Sequence, residues 1–337
     1  MIGYYIHHHG QGHLHRAISV AAATDAVVVG ISSLPRPAGW NGPWMVLPRD
    51  DEGPAPVDAT AHGRLHWVPE MDEGLTARMA EISSWIADVD PCLMVVDVSV
   101  EVSLLARLHG IPVITMVLPG DRRDSAHDLV HSVARRVVAA WPSDVAGMVT
   151  GVDLHCDRLT KVGGLSRFDG RDRPTRTPAH PDGRRTVLVL AGAGDAEGDR
   201  WDLAAAREQT PGWCWAVLGP GTWVDDPWAL LCEADVIVTH AGQNAIAEVA
   251  AARRPAVVVP KPRPFREQDA MAAVLGNDGR FPVVIRPELP STGWAELLES
   301  AAALDGSRWC GWNDGGGASR FADVIHEELA RAPAIRS

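Results

Sequence analysis

Short apolar runs alternate, over nearly the whole chain, with longer stretches whose apolar positions recur every three or four residues. The runs at 2–7, 26–31, 44–47, 93–98, 113–117 and 137–140 predict strands, and the periodic stretches at 13–23, 75–87, 100–108 and 125–135 predict helices between them. Runs that are apolar at successive positions belong to strands buried on both faces, the condition of a parallel sheet covered by helices. A stretch rich in Pro, Arg, Gly and Asp at 170–185 breaks the alternation and reads as a connector. Beyond it, strands are predicted at 186–190, 214–218, 236–239, 256–259 and 283–285, with helices at 196–208, 226–233, 243–252, 266–275 and 294–303. A Gly- and Trp-containing loop at 305–317 and an amphipathic helix at 320–331 close the chain. The expected fold is α/β, with two doubly wound Rossmann-like domains facing a cleft. Its expected divisions are a first domain at 1–163, a linker at 164–185, a second domain at 186–318, and a helix and tail at 319–337.

Composition narrows the function classes. The 337 residues exceed what one core usually serves, and 46% hydrophobic with 22% charged content is that of a soluble globular protein. A formal net charge of −12 offers no surface for nucleic acid and no polybasic patch for a membrane. No apolar stretch is long enough to span a bilayer, and the N-terminus lacks the pattern of a signal peptide. A cytoplasmic protein without nucleic-acid partners or stable membrane insertion is expected; whether it forms a homodimer stays open. The five cysteines (Cys92, Cys156, Cys214, Cys232, Cys310) form no C-x-x-C pair and read as reduced thiols packed as small hydrophobes.

Candidate chemistry gathers at the carboxyl ends of predicted strands, where open α/β sheets bind ligands. In YYIHHHGQGHLHRA a strand ends near His7, and Gly10 and Gly12 permit a tight turn into a helix beginning at His13. A helix N-terminus favours the neutral imidazole, which suits His13 to remove a hydroxyl proton as general base. Asp97 ends another strand; it either orients His13 or caps the following helix. His7, His8 and His9 point alternately if extended and cannot all reach one ion, so no metal is expected. His9, Gly10, Gly12, His66, Asp121 and His127 are candidates for contact with an acceptor. For the segment 120–127 a solvated loop with Asp124 or Ser125 capping a helix is the alternative. In the second half, Gly192, Ala193 and Gly194 follow a strand in a turn whose amides can approach phosphate. The turn at Ala241 and Gly242 opens another helix, Arg263 can reach phosphate, and Glu267 and Gln268 offer polar groups to sugar hydroxyls. The D-x-D spelling at Asp88 and Asp90 precedes a strand and so lies at the amino end of the sheet, away from the ligand-binding edge where a metal could assist.

Residues 239–268, THAGQNAIAEVAAARRPAVVVPKPRPFREQ, resemble the donor-binding segment of nucleotide-sugar glycosyltransferases with the GT-B architecture. That family carries an H-x-G-x-N/S…E motif, a short strand ending in Pro and a D/E-Q pair. His240, Gly242, Asn244, Glu248, Pro260, Glu267 and Gln268 fill those places. The chain is similar to the group that includes the peptidoglycan-precursor N-acetylglucosaminyltransferase and the UDP-glycosyltransferases of natural-product pathways. The resemblance implies a diphosphate held by His240, Ala241, Gly242, Gln243 and Asn244, a ribose held by Glu248, and a nucleobase gripped at Trp223 and Val224. It also implies that Arg167, in VGGLSRF, approaches the diphosphate, and that the Gly-x-Gly-His turn supplies the base. The implied activity is inverting, metal-independent transfer of a sugar from a nucleotide-sugar co-substrate, UDP or dTDP, to an acceptor hydroxyl. No further cofactor is implied. The early region lacks the basic cluster that reaches a lipid-linked acceptor, which points to a small soluble acceptor. A nucleotide-sugar 2-epimerase and a non-catalytic nucleotide-sugar-binding protein are the alternatives.

Overall fold

A computed structural model describes residues 1–151, 157–174, 182–191 and 201–331. The first half folds as β1 (Ile2–Ile6), α1 (Gln11–Ala22), β2 (Val28–Ser32), β3 (Trp44–Val46), α2 (Glu73–Val89), β4 (Leu93–Asp97), α3 (Val100–Leu108), β5 (Val113–Val117), β6 (Gly120–Asp121), α4 (Ser125–Val133), β7 (Arg136–Ala139), β8 (Val149–Thr150) and β9 (Leu159–Lys161). Seven of these strands form one parallel sheet in the order β3-β2-β1-β4-β5-β7-β9. Every residue of β1, β2, β4 and β5 is buried, as expected for strands covered on both faces. The chain passes from β1 to β2 on one side and returns to β4 on the other, so a topological switch point lies between β1 and β4. Their register pairs Ile6 with Asp97, which brings Asp97 beside the strand end leading to the His13 helix.

The second half contributes β10 (Arg185–Leu190), α5 (Ala204–Gln209), β11 (Trp213–Leu218), α6 (Trp228–Glu233), β12 (Val236–Thr239), α7 (Gln243–Ala252), β13 (Ala256–Val258), α8 (Glu267–Gly276), β14 (Val283–Ile285) and α9 (Trp294–Ala302). Its five strands are parallel in the order β11-β10-β12-β13-β14, with a switch point between β10 and β12. The fold is therefore the expected pair of doubly wound α/β domains.

Some elements differ from expectation. β9 extends the first sheet although it holds a single apolar residue, and β6 pairs with β8 as a separate two-residue ladder. The expected helix at 196–208 is described only from Ala204, and the expected loop at 305–317 contains a 3-10 turn over Gly306–Gly311. The last helix, α10 (Gly317–Arg331), lays Phe321, Val324 and Ile325 into the first domain's core beside Ile2, Tyr4, Leu14 and Ala17. A shared core joins the halves: Val117, Trp141 and Met148 meet Leu188, Ile246, Trp309 and Trp312. Phe168, in the expected linker, packs into the same core and stacks on Trp228 at 5.0 Å. The connector thus begins as packed chain, because Leu165 and Phe168 are apolar anchors within its polar composition.

Candidate active site between the two domains

The carboxyl ends of the two sheets face one another across a cleft of about 650 Å³. On the first wall α1 starts at Gly10, whose φ of 86° suits glycine, and no side chain caps the helix. On the second wall α7 starts after Gly242, again without a side-chain cap. Both helices therefore present unsatisfied N–H groups and the positive end of their dipoles to the cleft. Gly12 lies close to the opposite wall: a Cβ there would lie 1.8 Å from Asn244 Nδ2, so that side chain would have to move.

His13 lines the cleft with its side chain 18% exposed, and its Nδ1 lies 3.2 Å from Asp97 Oδ1. Asp97 is fully buried. The capping alternative falls to its neighbour, since Ser99 accepts from Val102 N and is the N-cap of α3. Burial alone would raise the Asp97 pKa, but the Arg16 guanidinium and His13 outweigh it and hold the carboxyl below its ordinary range. Arg16 was not foreseen. It is 3% exposed and donates from Nε to Asp97 Oδ2 at 3.0 Å. The strand-to-helix turn after Asp97 is held tightly, with Val98 at φ 64°, an uncommon conformation for a β-branched residue.

On the second wall Ala241, Gly242, Gln243, Asn244 and Glu248 line the cleft with Trp223, Arg263, Glu267 and Gln268. Arg167 reaches in from the crossing between domains: its Nε donates to Glu248 Oε1 at 2.8 Å, and its guanidinium lies over Phe168. Its Nη2 is buried without a partner among the described residues, a donor still to be satisfied. Burial raises the Glu248 pKa, and the Arg167 charge opposes that rise. Gln268 accepts from Lys261 N at 2.8 Å, which fixes its carboxamide and leaves Nε2 to donate. Phe265 and Arg266, both at positive φ, make the sharp turn that delivers Glu267.

Several expectations are corrected by the geometry. His240 does not line the cleft; it is 6% exposed, donates from Nδ1 to the Val259 carbonyl at 2.9 Å and packs its ring edge against Trp201. Burial lowers its pKa to about 4, so at neutral pH it carries no charge to offset a diphosphate. Val224 is exposed outside the cleft lining, while Trp223 is within it. Glu267 is not free for a sugar alone: its Oε1 accepts from Arg122 Nη2 across the domains at 2.7 Å. Gly192, Ala193 and Gly194 lie outside the described residues.

A second chamber of about 720 Å³ opens beside His13, walled by Leu65, Val98, Val100, Met116, Val130 and Phe265. His7, His9, His66 and His127 also line it. Asp121 does not, because it pairs with Arg123 and Thr150 on the surface; its neighbour Arg122 faces the chamber instead. Arg122 directly follows β6 and its N–H still bonds to the Thr150 carbonyl of β8 at 2.9 Å, so the adjacent side chains of Asp121 and Arg122 leave the ladder on opposite sides. Asp124, not Ser125, caps α4, accepting from His127 N. It also meets His127 Nδ1 at 2.5 Å and His66 Nε2 at 3.2 Å. Burial lowers the His127 pKa to about 4 despite that carboxylate.

The expectation that adjacent histidines diverge fails for one pair. The chain bends after His7, and His8 and His9 both bring Nε2 to Asp51 Oδ2, at 3.2 and 2.7 Å. With His66, Asp124 and His127, this is one of two groups among the described residues spaced so that they could hold a metal ion. Arg49 Nη2 donates to the same Asp51 oxygen at 2.7 Å, and Arg122 Nη1 lies 3.2 Å from His127 Nε2, so a guanidinium stands against each group.

Residues 222–293 match the glycosyltransferase family 28 C-terminal domain. Over 224 residues the chain is 27% identical to the UDP-N-acetylglucosamine--N-acetylmuramyl-(pentapeptide) pyrophosphoryl-undecaprenol N-acetylglucosamine transferase of Yersinia pestis. That match covers 58% of this chain and 59% of the relative, so the chain spans less than two thirds of the curated relatives it matches. Among solved structures, the glycotransferase of kitacinnamycin superposes with a TM-score of 0.67 at 18% identity, covering 97% of this chain and 98% of that one. MurG of Acinetobacter baumannii superposes with a TM-score of 0.62 at 16% identity, covering 97% and 99%. These likenesses establish the two-domain fold, and the C-terminal match establishes the kind of domain that forms the second wall. The chain has the two-domain fold of these glycosyltransferases, and its residues 222–293 match the glycosyltransferase family 28 C-terminal domain.

Proposed function

We propose that this protein transfers a sugar from a nucleotide-sugar donor, with UDP as the nucleotide, to a hydroxyl of a small-molecule acceptor, with inversion and without a metal ion. The observation that carries the reading is the His13–Asp97 pair, set at one helix start and facing the uncapped start of α7 across the cleft. In the proposed reaction His13 Nε2 takes the acceptor hydroxyl proton as the oxygen bonds to the anomeric carbon. The bond from that carbon to the donor's diphosphate oxygen breaks, and the nucleoside diphosphate leaves with the electron pair. Asp97 stabilises the imidazolium as it forms. The N–H groups of α7 and the unpartnered Arg167 Nη2 offset the departing charge.

Glu248 serves the ribose, Gln268 and the second oxygen of Glu267 serve the sugar, and Trp223 covers the base. The acceptor occupies the 720 Å³ chamber, whose apolar walls suit a largely apolar molecule with a hydroxyl turned towards His13. An epimerase needs several carboxylates around the sugar; the two that line the cleft among the described residues, Glu248 and Glu267, each already hold an arginine.

The test is a thermal-shift screen against nucleotides and nucleotide sugars, followed by product analysis with a panel of hydroxylated acceptors. Stabilisation by UDP and acceptor-dependent UDP release support the reading. Release of an epimerised sugar without acceptor, or no response to any nucleotide, overturns it.

A further inference from the structure

The Arg16 guanidinium touches both walls of the cleft, and nothing in the proposed reaction uses it. Besides its bond to Asp97, its Nη1 donates to Gln243 Oε1, on α7 of the opposite domain, at 3.0 Å. Its Nη2 lies 3.2 Å from His13 Nδ1, the nitrogen that also lies 3.2 Å from Asp97 Oδ1. In a neutral imidazole these two contacts exclude each other. A carboxylate oxygen only accepts, so Asp97 requires a proton on Nδ1; a guanidinium only donates, so Arg16 requires a lone pair there. The first tautomer leaves Nε2 able to take a proton. The second places the proton on Nε2 and disables the base.

We infer that Arg16 is a positioning residue that sets the tautomer of His13, and that its hold is tied to the donor helix through Gln243. This rests on the reading of His13 as the base. Gln243 is well placed for the tie, because its Nε2 donates to the Ala140 carbonyl at 3.3 Å and so fixes the oxygen turned to Arg16. A diphosphate at the start of α7 adds negative charge beside Gln243. That charge draws the guanidinium from Nδ1 and leaves Asp97 as its partner. The base then becomes competent when donor is in place.

Long-range 1H–15N correlation on 15N-histidine-labelled full chain near pH 8 separates protonated from unprotonated ring nitrogens. Loss of signals in His13→Gln assigns them. The wild type is expected to hold His13 mainly with Nε2 protonated, and UDP is expected to shift the ratio towards Nδ1–H. The shift should be about tenfold, the worth of one hydrogen bond to a charged group. Arg16→Met should give Nδ1–H with or without UDP. Gln243→Leu, which keeps Arg16 and is the fallback if Arg16→Met does not fold, should abolish the response to UDP. A wild type already fully Nδ1–H, or Arg16→Met with an unchanged ratio, overturns the assignment to Arg16. An unchanged UDP response in Gln243→Leu overturns the tie to the donor helix. UDP binding is followed separately by thermal shift. A protein that ignores UDP loses the proposed function, while the comparison of wild type with Arg16→Met still decides the tautomer.

Discussion

Each domain meets the cleft with a strand, a turn containing histidine and glycine, and an uncapped helix, yet the two histidines occupy different environments. His13 is partly exposed and faces a buried carboxylate, whereas His240 is buried, gives its Nδ1 proton to a backbone carbonyl and leans on Trp201. A carboxylate at Nδ1 stabilises the imidazolium and so assists proton uptake; a carbonyl fixes the ring without supplying charge. The lesson is that a histidine beside a strand–glycine turn–helix edge marks a binding edge, but its place in the sequence does not assign it its work. The partner of Nδ1 does, and that partner comes from another strand or loop.

The sharpest break of this comparison is kinetic. His13→Ala should lower kcat by about 10²–10⁴, the range for a lost general base, while the donor dissociation constant measured by titration changes little. His240→Phe should leave kcat within about tenfold, because only ring packing and one hydrogen bond to the Val259 carbonyl are disturbed. Equal losses in the two variants would erase the distinction. Arg167→Met sharpens the donor side: a charge-assisted hydrogen bond is worth about 1.5–3 kcal/mol, so donor affinity should fall about 10- to 100-fold. Binding unchanged by that variant would remove Arg167 from the diphosphate site. A smaller effect is expected from Gly12→Ala, whose methyl meets the Asn244 amide. Asn244 is a movable side chain, so kcat/KM should drop by about tenfold through displaced domain alignment. Restoration by Asn244→Ala in the double variant would locate the fault in that contact.

Much of this was legible in the chain. Buried parallel strands announce themselves as unbroken apolar runs, and the motif from His240 to Gln268 marked most of the second wall. What escaped depended on contacts between distant segments. β9 reads as LTK and is recruited only by pairing with β7. Arg16 was not singled out in the sequence, although its place three residues after His13 puts both on one helical face, a signal that could have found it. Asp121 was visible as a candidate, but which of Asp121 and its neighbour Arg122 turns to the chamber is set where this segment pairs with β8. The convergence of His8 and His9 on Asp51 needs a bend that spacing alone does not reveal.

The last and smallest effect on turnover separates the histidines through stability. Burial holds the His240 pKa near 4, below the value of about 6.5 expected in the unfolded chain. Between those values the unfolded state binds the extra proton and the native state does not, so stability rises with pH across the window. Read in the acid direction, the contribution is intact above about pH 6.5 and is lost as pH falls towards 4. The slope it adds approaches about 1.4 kcal/mol per pH unit within that window. His15, His127 and His131 are also lowered to about 4, chiefly by burial, so the wild type should lose stability steeply in acid. Denaturant midpoints for the wild type and His240→Phe, measured from pH 4 to 7.5, isolate the one histidine. The variant should be less stable than the wild type near neutrality, where its hydrogen bond to Val259 is missing, and the gap should narrow or reverse towards pH 4. Parallel curves would mean that His240 takes up its proton equally readily in the native and unfolded chains, and burial would then not be what sets it apart from His13.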